Sequence, residues 1–205
     1  MINYYWRLFA TGLSFTVFGI GGILLRVLVF PFLGLIFSDK KKQNYCAQWW
    51  VHKSFYIFIG LMHRLGIMTY DIEGLEKLNK SGQLIIANHP TLIDVVFLIS
   101  RIPAANCIVK EKLCHNPFTK GPVLNTGYIS NGDPESMIAK SVACLQAGEK
   151  MIIFPEGTRT VQGQAYKFQR SAARIALQAN ARVTPVSINC YPNTLSKAEK
   201  WYQIP

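Results

Sequence analysis

The run from Leu8 to Phe37 constrains this chain more than any other stretch: thirty residues with one charge, Arg26, and one proline, Pro31. As a single straight helix it would be about 45 Å long, against roughly 30 Å for the hydrocarbon layer of a bilayer. A run this long and apolar is rare in soluble domains. The expectation is therefore a membrane-embedded or membrane-spanning helical segment over residues 1–42. Two arrangements satisfy it. Leu8 to Leu25 alone is long enough to cross, or the run breaks near Arg26 and Pro31 into two helices lying partly in one leaflet, which its several glycines permit. Tyr4, Tyr5 and Trp6 in front of it are anchors suited to the headgroup level, and Asp39-Lys40-Lys41-Lys42 behind it puts positive charge on the cytoplasmic side. Met1 to Trp6 lacks a basic cluster and no small-residue cleavage site precedes Asp39, which argues against a signal peptide.

Residues 43–66 read as a second helix, rich in aromatics (Tyr45, Trp49, Trp50, Phe55, Tyr56, Phe58) and interrupted by Gln48, His52 and Lys53. That mixture fits a helix lying on the membrane interface and equally a buried aromatic helix of the core. Gly66 closes it. Beyond this point strand and helix patterns alternate. Strands are expected at 68–73, 83–87, 106–110, 126–130, 151–154 and 183–189, with helices at about 91–101, 134–147 and 165–179. Asp133 as N-cap, Pro134 at the first helical position and Gly148 past the end punctuate the middle helix. Phe168, Ala172, Ile175, Ala176 and Ala179 form a core-facing stripe on the last. This alternation predicts an α/β domain over residues 67–205, with a largely parallel or mixed central sheet flanked by helices. In such sheets ligands bind beyond the carboxyl ends of the strands.

Half of the 205 residues are hydrophobic, and the formal net charge is +11, from 22 basic and 11 acidic side chains. Nucleic acid and anionic lipid would both suit that charge, but only lipid also accounts for the apolar excess, so membrane lipids are the expected partner and nucleic acid is not. The five cysteines, Cys46, Cys107, Cys114, Cys144 and Cys190, are odd in number and have no C-x-x-C spacing, which disfavours a disulfide framework or a zinc site and points to a reducing compartment. His52, His63 and His115 form no ligand pattern with an acid, so no metal is expected.

Two stretches carry chemistry. In Ile85-Ile86-Ala87-Asn88-His89-Pro90-Thr91-Leu92-Ile93-Asp94, an apolar strand delivers a histidine to a turn and an acid follows five residues later. On one regular helix these two side chains would point to different faces. They meet only if His89 lies in the turn and Asp94 in the first helical turn. Pro90 biases His89 away from helical dihedrals, and Thr91 with Asp94 fits a helix-starting capping pattern. A histidine anchored by a carboxylate through one ring nitrogen is a general base through the other. Taken alone, the ten residues also fit a plain capped turn, which is the commoner case. The second stretch, Ile152-Ile153-Phe154-Pro155-Glu156-Gly157-Thr158-Arg159, ends another strand in a turn offering an acid, a glycine, a hydroxyl and a guanidinium. Glycine allows close backbone approach to a ligand and arginine presents a planar fork to phosphate or carboxylate. Alone it is an ordinary turn with a solvated arginine.

Together these stretches resemble the glycerolipid acyltransferases, the family that includes 1-acylglycerol-3-phosphate acyltransferases. Asn88, His89 and Asp94 match its N-H-x-x-x-x-D motif, and Phe154 to Arg159 match F-P-E-G-T-R without a gap. Val183-Thr184-Pro185-Val186 is similar to its V-x-P-V strand. Val109-Lys110-Glu111-Lys112-Leu113 followed by Pro117 and Gly121 is a weaker fourth match. The likeness covers roughly residues 70 to 190. Three features depart from it. The family's arginine shortly after the glycine matched by Gly127 is absent here, its F-K-x-G helix start reads Phe168-Gln169-Arg170-Ser171, and Pro205 comes early.

The resemblance implies acyl transfer from a thioester of acyl carrier protein or coenzyme A to a hydroxyl of a lysophospholipid-type acceptor. His89 would be the base and Asp94 its orienter. Glu156, Gly157, Thr158 and Arg159, with Lys110 and Asn88, would bind substrate: Arg159 and Lys110 the phosphate, Glu156 the acceptor hydroxyls or its own loop, Asn88 the turn or the oxyanion. No cofactor is implied, since the thioester is a co-substrate. The oligomeric state is left open. An acceptor other than a glycerophosphate, or a noncatalytic membrane lipid-binding protein, are the competing readings; a hydrolase would need a G-x-S-x-G elbow or a metal set, and neither is present.

Overall fold

The structure, a computed structural model, describes residues 2–161, 164–197, 199–200 and 202–203. The apolar run is one continuous helical rod. It comprises α1 (Ile2–Leu24), a π-helical turn at Leu25–Val29, and α2 (Phe30–Ile36). Pro31 has no N–H to give to the preceding turn, and the wide turn in front of it absorbs the mismatch, with the Phe30 N–H reaching back five residues to the Leu25 carbonyl. The expected hinge is therefore a change of helical pitch rather than a break into two helices. Among the described residues this is the one helix long and apolar enough to cross a membrane: Asn3–Ile36, mean hydropathy 2.2, with 17% of the window buried.

Helix α3 (Lys40–Arg64) begins three residues before the sequence reading places it, because the Asp39 carboxylate accepts from the Lys41 N–H at 2.8 Å and caps it. Ala47, Val51, Ile59 and Met62 fall on one face and are buried, while Trp49, Trp50, Tyr56 and Ile57 remain exposed on the other. The helix is thus a core helix and also presents an outward apolar face.

The domain's sheet has five parallel strands in the order β3-β2-β4-β1-β5. They are β1 (Gln83–Ala87), β2 (Ala105–Val109), β3 (Ile129–Ser130), β4 (Lys150–Ile153) and β5 (Arg182–Val186). Four helices connect or flank them: α4 (Asp94–Arg101), α5 (Lys120–Asn125), α6 (Pro134–Gln146) and α7 (Arg170–Ala179). Alternate strand residues separate the core into two layers, as the two-residue side-chain period demands. Ile85, Ala87, Cys107, Val109 and Ile152 pack beneath α3 and α4, while Leu84, Met151, Ile153 and Ile129 pack beneath α6 and α7. The strand runs are apolar on both faces because both faces are covered. Cys107, wholly enclosed in the first layer, has its thiol pKa pushed up to about 12 by burial. All five cysteines are free.

Several expected elements shift. Residues 68–73 form no strand: Ile67 and Met68 pack on the end of α3 and the Tyr70 ring sits against His63 and Phe97, so their apolar side chains are used against helices. The strand expected at 126–130 shortens to Ile129–Ser130, because Thr126 ends α5 by bonding back to the Pro122 carbonyl and Gly127 turns the chain at φ +75°. Helix α5 itself has no counterpart in the sequence reading, since Gly121 and Pro122 in its first turn look like loop residues. Helix α7 starts at Arg170 rather than 165, because the Gln169 N–H is held by the Pro155 carbonyl at 2.8 Å. Helix α4 starts at Asp94, not 91. The middle helix matches its punctuation, with the Asp133 carboxylate accepting from the Glu135 N–H.

Candidate active site

Parallel strands β1 and β4 are neighbours, paired from Leu84–Met151 to Ile86–Ile153, so their carboxyl ends open side by side. The turn after β1 carries His89 and the turn after β4 carries Glu156 to Arg159. Register alone thus brings together two motifs separated by about sixty residues of sequence.

His89 Nδ1 lies 2.9 Å from Asp94 Oδ2. The Asp94 carboxylate is only 4% exposed and accepts two further hydrogen bonds, from the Thr91 N–H at 2.7 Å and the Thr91 hydroxyl at 2.5 Å. Thr91 therefore bonds to the carboxylate itself instead of capping the helix with its side chain, and residues 91–93 form the bend that turns Asp94 back towards the histidine. An Nδ1–H given to Asp94 leaves Nε2 as the basic nitrogen, and among the described residues Nε2 has no hydrogen-bond partner. The Phe154 ring packs on the imidazole with centroids 4.4 Å apart, which restricts its rotation.

The second turn clamps the first. The Glu156 carboxylate accepts from the Thr160 hydroxyl at 2.6 Å, and the His89 backbone N–H is shared between Glu156 Oε1 at 3.3 Å and Thr160 Oγ1 at 3.0 Å. The Thr160 N–H returns a bond to the His89 carbonyl at 2.7 Å. Of the two tasks expected of Glu156, bracing the loop is thus visible. Thr160, outside both motifs, was not singled out from the sequence, although a hydroxyl one residue past F-P-E-G-T-R was the available signal. Gly157 adopts φ +65°, a backbone conformation that other residues rarely take, and a β-carbon there would also require the Gln169 amide to move aside. Thr158 is partly buried, with no side-chain hydrogen-bond partner among the described residues.

Asn88 faces away from the opening: its amide donates to the Ile188 carbonyl at 2.8 Å and accepts from the Ile188 N–H at 2.6 Å. It extends the β1–β5 pairing past the last ladder bond and so holds the turn. Arg159 also has protein partners. Its Nη1 donates to the carbonyls of Leu195 and Ser196 at 2.8 and 2.7 Å, leaving Nε and Nη2 uncommitted among the described residues. Lys110, just past β2, has its pKa lowered, first by burial and then by the charges of Lys112, Arg159 and Lys197. The sequence reading brought Lys110 and Arg159 together but missed Lys112 and Lys197, the latter on a C-terminal segment it left unassigned.

Residues 69–189, more than half of the chain, match the family described as Acyltransferase, and the chain belongs to that family. Among its curated relatives, the 1-acyl-sn-glycerol-3-phosphate acyltransferase of Pseudomonas aeruginosa is 26% identical over 165 residues, covering 77% of this chain and 62% of the relative. A chloroplastic 1-acyl-sn-glycerol-3-phosphate acyltransferase of Arabidopsis thaliana is 26% identical over 174 residues, covering 81% of this chain and 46% of its own length. The chain thus spans about half to two thirds of these relatives. The crystal structure of a 1-acyl-sn-glycerophosphate acyltransferase from Thermotoga maritima superposes with a TM-score of 0.70 at 22% identity, over 95% of this chain and 80% of that one. At that identity the likeness is one of fold.

Proposed function

We propose that this chain transfers a fatty acyl group from an acyl thioester, carried by acyl carrier protein or coenzyme A, to a hydroxyl of a lysophospholipid-type acceptor at a membrane surface. The observation that carries the reading is the 2.9 Å contact between His89 and a buried, triply bonded Asp94, which leaves Nε2 without a hydrogen-bond partner among the described residues. Nε2 removes the acceptor's hydroxyl proton as the oxygen attacks the thioester carbon. Asp94 holds the imidazole in the required tautomer and stabilises its charged form. The tetrahedral intermediate collapses with cleavage of the carbon–sulfur bond, and the imidazolium returns its proton to the departing thiolate. The acceptor is itself the nucleophile, so neither an acyl-enzyme nor a resident cofactor is needed. Arg159 and Lys110 bind the acceptor's phosphate.

The rod of α1 and α2 holds this site at the bilayer, where both acyl chains reside, and the Lys40–Lys42 cluster favours the cytoplasmic face. The basic excess also suits an acidic acyl carrier protein. The test is His89→Ala in purified membranes given labelled acyl donor and 1-acylglycerol 3-phosphate. Transfer falls by about 10²- to 10⁴-fold if His89 is the base; undiminished transfer removes it from the mechanism.

A further inference from the structure

Four cations meet beyond the carboxyl ends of the neighbouring strands β2 and β4: Lys110 and Lys112 follow β2, Arg159 lies in the turn after β4 and bonds to the carbonyls of Leu195 and Ser196, and Lys197 comes next in sequence, with the charges of Lys112, Arg159 and Lys197 all felt at Lys110. Among the described residues none has a carboxylate within ion-pair distance, the ion pairs there being His89–Asp94 and Arg174–Glu135. The nearby acids have other engagements. Asp94 is committed to His89 and Thr91, and Glu156 to Thr160 and the His89 N–H. Glu199 accepts from the Ser196 N–H at 3.0 Å, and the Glu111 carboxylate lies against Gly132. Like charges brought together without a counter-ion raise the energy of the empty site and lower it when an anion enters.

Lys197 reaches this place on a strap whose hold is well defined. Leu195 is buried as an anchor, and its carbonyl accepts both from Arg159 and from the Leu92 N–H, at 2.8 and 3.1 Å. Leu92 is three residues past His89, so the strap ties the guanidinium to the loop that carries the imidazole. It does so entirely through backbone carbonyls, which leaves the exposed Lys197 side chain, next in sequence after Ser196, without a protein partner among the described residues. The segment from Gly127 to Asp133, in which the family resemblance leads one to expect a phosphate-binding arginine, holds no cation in this chain.

We propose that Lys197 on the C-terminal strap, with Lys112, completes the anion-binding set begun by Arg159 and Lys110 and makes the phosphate contact that an arginine after Gly127 would otherwise make. The ligand is a phosphate group, from the acceptor's headgroup or from the donor's coenzyme A. The strap's carbonyls set the angle of the guanidinium, and its lysine supplies the charge opposite. This assignment rests on the acyl-transfer reading for its purpose but not for its test.

Binding of glycerol 3-phosphate and of coenzyme A to the detergent-solubilised full chain is measured by calorimetry for wild type, Lys197→Ala, Lys197→Arg and Lys112→Ala, beside KM and kcat for acceptor and donor. Loss of one charge-assisted phosphate contact is expected to weaken glycerol 3-phosphate binding and raise the acceptor KM about five- to twentyfold in Lys197→Ala, with kcat little changed and Lys197→Arg restoring both. The same loss seen for coenzyme A and the donor KM supports the anion set and assigns its phosphate to the donor. Unaltered affinity for both ligands in Lys197→Ala and Lys112→Ala overturns the proposal, as does failure of the wild type to bind either. Wild type that binds glycerol 3-phosphate yet transfers no acyl group overturns the acyl-transfer reading and leaves the anion site standing.

Discussion

Asp94 serves two partners with one carboxylate: it orients the imidazole and shapes the bend that delivers it. Asp94→Asn keeps the size of the side chain and removes the charge, so kcat is expected to fall about 10²- to 10⁴-fold while acceptor KM changes little. Thr91→Ala removes only the hydroxyl bond and leaves the backbone N–H in place. It should lower stability by about 1 kcal/mol in chemical denaturation and slow turnover far less than Asp94→Asn does. Lys110 carries the opposite kind of signature. Its folded-state pKa is lowered, so the unfolded chain binds the proton more tightly and this residue's contribution to stability rises with pH towards the ordinary lysine range. Lys110→Met is therefore expected to raise the thermal midpoint slightly at pH 7, flatten its rise towards pH 10, and weaken phosphate binding, all read by scanning calorimetry with and without glycerol 3-phosphate. These roles were partly legible in the sequence. His89 and Asp94 are linked through a short turn whose proline and threonine are local signals. Thr160, by contrast, acts on a backbone N–H seventy-one residues away, and no local pattern encodes that.

The helical rod meets the domain through glycines. A β-carbon on Gly22 would lie 2.5 Å from the Phe118 carbonyl oxygen, and one on Gly121 would lie 2.5 Å from the Arg26 β-carbon. Arg26 adds a bond from its guanidinium to the Pro117 carbonyl at 3.2 Å. Small residues at a helix contact allow this backbone approach, so Gly22→Leu is expected to force the rod away from the 116–119 loop at a cost of about 1–3 kcal/mol, seen as a lower thermal midpoint and faster proteolysis at that loop. Elements with both a period and a cap, such as α6 between Asp133 and Gly148, can be read from sequence. Helix α5 could not be, since its Gly-Pro start suits docking beneath Arg26 rather than intrinsic helix preference. The alternation over 68–73 misled because Tyr70 is claimed by His63, Phe97 and the guanidinium of Arg101.

For the molecule as a whole, the rod leaves Phe9, Ile20 and Leu35 more than half exposed, far more apolar surface than a helix docked in water presents. Replacing all three by glutamate is expected to shift the protein from vesicle-bound to soluble fractions in flotation, while far-UV circular dichroism of the α/β domain is kept; continued flotation with the vesicles would show that the rod is not the anchor. The sequence by itself determined the long apolar segment, the strand–helix alternation of an α/β domain and the spacing that lets His89 and Asp94 meet across a turn, because each depends on period, turn chemistry or contacts a few residues apart. Only the tertiary structure decided the strand order, the meeting of the β1 and β4 turns, the Thr160 clamp and the strap that brings Lys197 to Arg159. Those contacts join residues about twenty to a hundred positions apart, and they arise from burying both faces of one sheet at once rather than from any preference held in the segments themselves.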